Sequence, residues 1–243
     1  MCSAKVSVII PTYNGAVYLG AAIQSVLAQT YPDFELIVVN DASPDSTTEL
    51  LGQFTDKRIK YIVHESNCGP DVARHTALQA SSGEIVAFLD QDDLFHPDKL
   101  RAHLDVFDAQ PAVGFTYNDR FELNYSSESI RDIWRAPRNM TLADLVLWFP
   151  LSPSDVLMRR EWAAQMDLLS GSRGAEISHF GRLLLAGCNF ACVGRALNYR
   201  RYHSQRTVND LKRACESEIQ NQNPWSYQWQ CARKDYFTQY QIR

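Results

Sequence analysis

The chain has no glycine-rich phosphate loop: neither G-x-G-x-x-G nor G-x-x-x-x-G-K-[ST] occurs in its 243 residues. That counts against a dinucleotide-binding dehydrogenase and against a P-loop nucleotidase. No stretch approaches the roughly 20 apolar residues of a membrane span, and there is no internal repeat or low-complexity segment. Charge of one sign is scarce too. With 24 Lys and Arg against 28 Asp and Glu the net charge is −4, so nothing pulls the chain toward nucleic acid. The six cysteines (Cys2, Cys68, Cys188, Cys192, Cys215, Cys231) are scattered. Only Cys188 and Cys192 lie close, at a separation that matches no common zinc pair, and reduced thiols are the expected state. Met1-Cys2-Ser3-Ala4-Lys5 leads straight into a strand-like segment with no room for a signal peptide. A cytoplasmic location follows as the expectation, the membrane surface staying open, and the sequons at Asn124 and Asn139 are expected to carry nothing.

What is present is an ordinary globular composition, 45% hydrophobic and 21% charged, with length enough for a full core. Short apolar runs alternate with helix-period segments through the first half. Strands are expected at 6–10, 34–39, 59–63, 85–89 and 113–117, and helices around Leu19–Leu27, around Leu50–Phe54, after Gly69, and from Pro97 through Phe107. Near-continuous apolar strands separated by helices predict an α/β fold with a mainly parallel sheet covered on both faces. From Asn118 the rhythm breaks. Residues 118–140 read as a long polar loop of the kind that tends to be functional. A helix near 142–147, a strand near 155–158, a helix around 180–185 and two short strands near Phe190 and Leu197 follow. After His203 two amphipathic stripes, Val208-Leu211-Cys215-Ile219 and Trp225-Trp229-Tyr236-Tyr240, suggest an appended helical tail.

Ligands of an open parallel sheet bind beyond the carboxyl ends of its strands. Those ends read Pro11-Thr12-Tyr13-Asn14-Gly15, Asn40-Asp41-Ala42-Ser43-Pro44-Asp45 and Asp90-Gln91-Asp92-Asp93. They gather at least four carboxylates and no basic residue. Carboxylates so placed repel one another. A bound divalent cation removes the conflict, and oxygen-only ligands favour Mg²⁺ or Mn²⁺ over zinc. Asp93 reads equally well as a cap on the following helix.

The blocks Val8–Gly15, Ser25–Tyr31, Ile37–Thr47, Asn67-Cys68-Gly69, Ala73-Arg74-His75 and Gly83–Asp93 stand in an order and spacing that resembles glycosyltransferase family 2. The likeness is dense over residues 5–105 and thinner at Glu176, Arg182, Gly187 and Tyr199–His203. It implies the A-type nucleotide-sugar transferase fold and an inverting transfer from a nucleotide sugar, most plainly a uridine-diphosphate sugar. It implies that Pro11, Thr12, Tyr13 and Asn14 line the donor, with Thr12 and Tyr13 at the base and Asp41 accepting from the base imide. Arg74 lies near the donor; pairing with Asp71 or Glu84 is its other reading. Asp90, Gln91 and Asp92 form the D-x-D, with Asp92 the metal ligand and Asp90 facing ribose or sugar. A Tyr-Arg-x-His segment covers the donor diphosphate, which assigns Arg201 to the diphosphate and His203 to the metal shell.

Departures from the family pattern are Asn40-Asp41-Ala42-Ser43 for the commoner Asp-Asp-Gly-Ser, His75 for Asn, and Ala175-Glu176 for the Glu-Asp pair that often supplies the base. Glu176 is the expected catalytic base, its other reading being a helix N-terminal acid. A transferase domain over 1–203, with a donor half to about 117 and an acceptor half from 118, and a helical extension over 204–243 are the expected organisation. The acceptor is a glycan, lipid-linked or other hydroxyl. The aromatic tail offers packing, a peripheral membrane contact or a homo-oligomer interface. The competing classes are a sugar-1-phosphate nucleotidyltransferase, whose glycine-rich basic loop after strand one is missing, and a non-catalytic nucleotide-sugar-binding module.

Overall fold

The computed structural model describes residues 5–124, 129–148, 151–166, 168–169 and 175–202, with the backbone alone at 146–148 and 175–178. The elements run β1 (Val6–Thr12), α1 (Leu19–Leu27), β2 (Phe34–Asn40), α2 (Thr47–Leu51), β3 (Ile59–Val63), α3 (Pro70–Ala80), β4 (Ile85–Phe88), β5 (Leu94–Phe95), α4 (Lys99–Ala109), β6 (Val113–Leu123), β7 (Ile130–Trp134), α5 (Leu142–Trp148), β8 (Val156–Arg159), α6 (Arg160–Ala163), α7 (Ala175–Leu185) and β9 (Asn189–Arg200). A 3₁₀ turn at Pro153–Asp155 precedes β8. His203 and the stripes after it lie outside the described residues.

One mixed sheet holds the strands in the order β3-β2-β1-β4-β8-β6-β9-β5, with β7 paired to β6. The mainly parallel sheet expected from the apolar runs is found in β3, β2, β1 and β4. Beyond β4 the direction mixes: β8 is antiparallel to both β4 and β6, while β9 runs parallel to β6. All seven residues of β1 and of β2 are buried, which requires cover on both faces. Alternation along the strands divides them. Ile9, Ile37, Val39, Val86 and Phe88 pack with Ala73 and Ala77 of α3 and Phe180 and Leu183 of α7. Val8, Ile10, Leu36, Val38 and Ala87 pack with Ile23 and Val26 of α1 and Leu100 and Leu104 of α4.

The stretch expected as a loop at 118–140 is corrected: β6 continues to Leu123 and β7 returns antiparallel to it. The polar residues Asn118, Asp119, Arg120 and Glu122 of β6 are buried rather than solvated, because other side chains satisfy them, whereas Arg131 and Asp132 of β7 are exposed. Asp119 accepts both Arg138 guanidinium nitrogens at 3.0 Å, and Arg120 donates to Glu122 at 2.7 Å and Asp155 at 2.8 Å. The expected divide at 117/118 falls inside this strand. The two short strands near 190 and 197 are one strand, β9. Between the pairs Tyr117–Cys192 and Asp119–Ala196, β6 advances two residues and β9 four, a bulge at which Gly194 takes φ +75. The helix expected to open with Pro97 begins at Lys99.

The amino edge of the parallel half is tied by Glu35. It accepts from the Ser7 hydroxyl at 2.8 Å, the Ser82 N–H at 2.5 Å and the Lys60 ammonium at 2.8 Å, joining β2 to β1, β3 and the α3–β4 turn. The carboxyl edge is where the chemistry gathers.

Candidate active site

At the carboxyl end of β1, Gln91 clamps the chain. Its Oε1 accepts from the Thr12 hydroxyl at 2.5 Å and the Tyr13 N–H at 3.0 Å, and its Nε2 donates to the Tyr13 carbonyl at 3.0 Å. A Cβ on Gly15 would run into Thr12 Oγ1 and come within 2.6 Å of Gln91 Oε1, so the residue must be glycine for the clamp to close. The Tyr13 ring stays exposed. Asn14 at φ 52 and Ala42 at φ 58 both adopt the left-handed region. The two turns are tied together: Asn14 N–H donates to Ser43 Oγ at 3.1 Å, Gly15 N–H to Thr47 Oγ1 at 3.0 Å, and Ala16 N–H to Asp45 at 3.1 Å. Burial pushes the Asp45 carboxyl up, but the Thr47 hydroxyl and the Ala16 and Thr47 N–H groups outweigh it, and the net direction is down.

Asp41 is buried and heavily engaged. Its own N–H donates to the Thr12 carbonyl at 2.8 Å. Its carboxylate meets His64 Nδ1 at 2.6 Å and accepts from the N–H groups of Cys68 at 3.0 Å and Gly69 at 2.7 Å. The Asp41 carboxylate at the end of β2 is thus already engaged within the chain.

At the end of β4 the carboxylates of Asp90, Asp92 and Asp93 place one oxygen each within 4.8 Å of one another. Asp92 and Asp93 are buried, so the turn is not a solvent-facing loop. The acidic edge is also not free of basic residues. Arg74, buried on α3, donates to Asp71 at 2.8 Å and to Asp90 at 2.9 Å; of its two expected partners Asp71 is found and Glu84 is not. Arg201, beyond β9, donates from its main chain to Asp93 at 3.4 Å and from Nη1 to the Asp92 carbonyl at 3.5 Å, with its guanidinium 5.6 Å from the Tyr18 ring centroid. Pro11, Thr12, Tyr13, Asn14, Asp41, Arg74, Asp90, Gln91, Asp92 and Arg201 thus converge on one sheet edge.

The sequence model of glycosyl transferase family 2 matches residues 7–163. The chain belongs to that family. The expected enzyme class, a glycosyltransferase, is the family's. TuaG of Bacillus subtilis (strain 168), a putative teichuronic acid biosynthesis glycosyltransferase, is 29% identical over 98% of this chain and 88% of its own. WfgD of Escherichia coli, a UDP-Glc:alpha-D-GlcNAc-diphosphoundecaprenol beta-1,3-glucosyltransferase, is 37% identical over 58% of this chain and 54% of its own. The crystal structure of S. aureus TarS 1–349 in complex with UDP-GlcNAc superposes with a TM-score of 0.68 at 23% identity, over 83% of this chain and 60% of that 1–349 chain. The family 2 chain therefore spans most of TuaG, little more than half of WfgD and of TarS 1–349, and 37% of the longer TarS chain. The likeness to TarS carries the A-type sheet.

Several residues of this family 2 edge went unread in the sequence. Ser152 donates to Asp90 at 3.3 Å, and Ser154 accepts from the Asp90 N–H at 3.0 Å. Their signal was legible: Ser152-Pro153-Ser154-Asp155 has the spacing of a capping box, and the structure closes one there. His179 on α7 is fully buried, has no hydrogen-bond partner among the described residues, and puts Nε2 3.8 Å from Asp71. Burial pushes the Asp71 carboxyl up, yet His179 and Arg74 together bring it below its ordinary value. His64 stands in none of the family blocks, and Asp71 was expected only as a partner of Arg74. Glu176 lies in the first turn of α7 rather than ahead of it.

Asp155, at the end of the 3₁₀ turn before β8, is completely buried. It accepts from Arg120 at 2.8 Å and Asn198 at 3.0 Å, so it ties β8 to β6 and β9. No helix among the described residues is long and apolar enough to cross a membrane.

Proposed function

We propose that this family 2 domain binds a uridine-diphosphate sugar across the carboxyl ends of β1, β2 and β4 and passes the sugar, with inversion, to an acceptor hydroxyl. The observation that carries this reading is the carboxylate trio Asp90, Asp92 and Asp93, set where open sheets bind their ligands and beside the exposed ring of Tyr13. The name of WfgD, with a UDP-glucose donor, and the UDP-GlcNAc bound to TarS support uridine as the base. Tyr13 offers a face for the base to stack on. The base imide N–H would take the place of His64 Nδ1 on Asp41, a charge-assisted bond.

The trio suits a hard divalent cation, Mn²⁺ or Mg²⁺, since every donor is oxygen. Asp92 would ligate it, with His203 completing the shell, and a cation there neutralises charge on the departing diphosphate. Asp90, held by Arg74, is set to meet the ribose or sugar. Arg201 supplies positive charge at the same edge as the diphosphate leaves. Glu176 takes the acceptor proton, the acceptor oxygen bonds the anomeric carbon, and the carbon–oxygen bond to the diphosphate breaks.

Residues 1–203 would form this transferase, with the donor bound by the part up to about residue 117. Residues 204–243 would extend it, and their aromatic stripes would serve a membrane surface or a second copy of the chain. The acceptor half would receive a lipid-linked or other glycan, a reading that the name of WfgD favours.

The test is a donor panel with Mn²⁺, Mg²⁺ or chelator, scored for nucleotide release and for transfer to pooled acceptors. Metal-dependent turnover of a uridine-diphosphate sugar is expected. Tight nucleotide binding without turnover of any donor would point to a binding module instead, and preference for guanosine or cytidine diphosphate would overturn the role given to Asp41.

A further inference from the structure

Away from the acidic trio, Asp41, His64 and Cys68 bring one oxygen, one nitrogen and one sulfur atom within 4.8 Å of one another. We infer that these three side chains form a binding site for Zn²⁺, and that filling it excludes the base of the nucleotide donor. The second half rests on the reading that Asp41 meets the base.

The donor set separates this place from the trio. Thiolate, imidazole and carboxylate together favour zinc, whereas carboxylates alone favour Mg²⁺ or Mn²⁺. Zinc bonds of about 2.0–2.3 Å put the ligands of a tetrahedral site about 3.3–3.8 Å apart. The 2.6 Å contact between Asp41 and His64 would open and the Cys68 sulfur would draw inward, both side-chain adjustments of the order of an ångström. Two of the three ligands are already oriented. In the metal-free site His64 Nδ1–H donates to Asp41; metal binding would move that proton to Nε2, which lies 3.0 Å from Thr76 Oγ1 and finds an acceptor there, so that the Nδ1 lone pair faces the metal. Asp41 is held by the Cys68 and Gly69 N–H groups, and those main-chain bonds can persist with a metal on the carboxylate. Cys68 is exposed and its thiol is not in a disulfide. The site therefore opens to solvent on the sulfur side, which leaves the fourth position for water. On binding, the thiol gives its proton to solvent and no electron moves.

The test uses Co²⁺ as a spectroscopic probe and Zn²⁺ as the competitor, with Mg²⁺ in excess to occupy the oxygen site. The parent should take up Co²⁺ with a thiolate-to-cobalt charge-transfer band, and Cys68→Ser, changed at an exposed side chain, should lose the band. Zn²⁺ should weaken binding of uridine diphosphate by more than about tenfold in the parent and leave Cys68→Ser unaffected. Absence of the band, or a band that survives Cys68→Ser, overturns the site. A Cys68-dependent band without any effect of Zn²⁺ on uridine diphosphate keeps the metal site and overturns the exclusion, together with the role given to Asp41 at the base.

Discussion

Ala42→Gly should stabilise the protein. Ala42 sits at φ 58, where a residue with a Cβ loses about 1–2 kcal/mol. The turn cannot relax to avoid that cost, because bonds on either side fix it: Asp41 N–H to the Thr12 carbonyl at 2.8 Å and Ser43 N–H to Asn40 Oδ1 at 3.0 Å. Removing the methyl gives up a few tenths of the roughly 0.8 kcal/mol that full burial of such a group would contribute, since Ala42 is half-buried. The freer unfolded chain of the variant takes back a further 0.4–1 kcal/mol or so. The net is a gain of about 0.5 kcal/mol, which for a chain of this length raises the midpoint by about 1–2 °C. Ala21→Gly, at an exposed position inside α1, supplies the control of opposite sign, since glycine there costs about 1 kcal/mol. Thermal unfolding of the two variants beside the parent measures the difference. Equal destabilisation by both would refute the left-handed turn at Ala42 and the hold on Asp41 that depends on it.

Glu35 makes stability depend on acid. Burial pushes its carboxyl up, but the Lys60 ammonium and the Ser82 and Ser7 groups outweigh it and bring it down to about 2 from an ordinary 4.5. A depressed folded value means that the contribution is complete above pH 4.5 and is lost as pH falls toward 2. It amounts to about 2 kcal/mol after allowance for solvent at the half-exposed Lys60. Denaturant titrations from pH 6 to pH 2 should show that loss in the parent and a flatter profile in Glu35→Gln; parallel profiles would contradict it. Glu176→Gln should keep donor affinity and lose on the order of 10²-fold or more in turnover, if it removes the proton acceptor. Near-parental turnover, with only a small loss of stability, would mark Glu176 as a helix N-terminal acid.

The parallel half of the fold was legible because its strands are apolar from end to end. β1 and β2 bury every residue, and runs of Val and Ile announce that. β6 was illegible past Tyr117 for the opposite reason. Asn118, Asp119, Arg120 and Glu122 are buried polar residues, affordable only because Arg138, Asp155 and Asn198 reach them from elsewhere in the chain. A pattern of local hydropathy cannot see a partner 80 residues away. The site divides the same way. Strand ends carried Asp41, Asp90 and Asp92 into view, since their meaning lies in what precedes them. His64, Asp71 and His179 acquire theirs only when β3, α3 and α7 are folded against one another.

The most direct test of the proposed transferase site is the dependence of uridine diphosphate binding on Mn²⁺ in the parent and in Asp92→Asn. The substitution keeps the shape of a side chain that is only 8% exposed, so folding should be retained, which circular dichroism verifies. Titration calorimetry should find that Mn²⁺ strengthens nucleotide binding by at least about tenfold in the parent and has almost no effect in the variant. The same Mn²⁺-dependent gain in Asp92→Asn would contradict the assignment of the metal, and with it the chemistry proposed for this edge of the sheet.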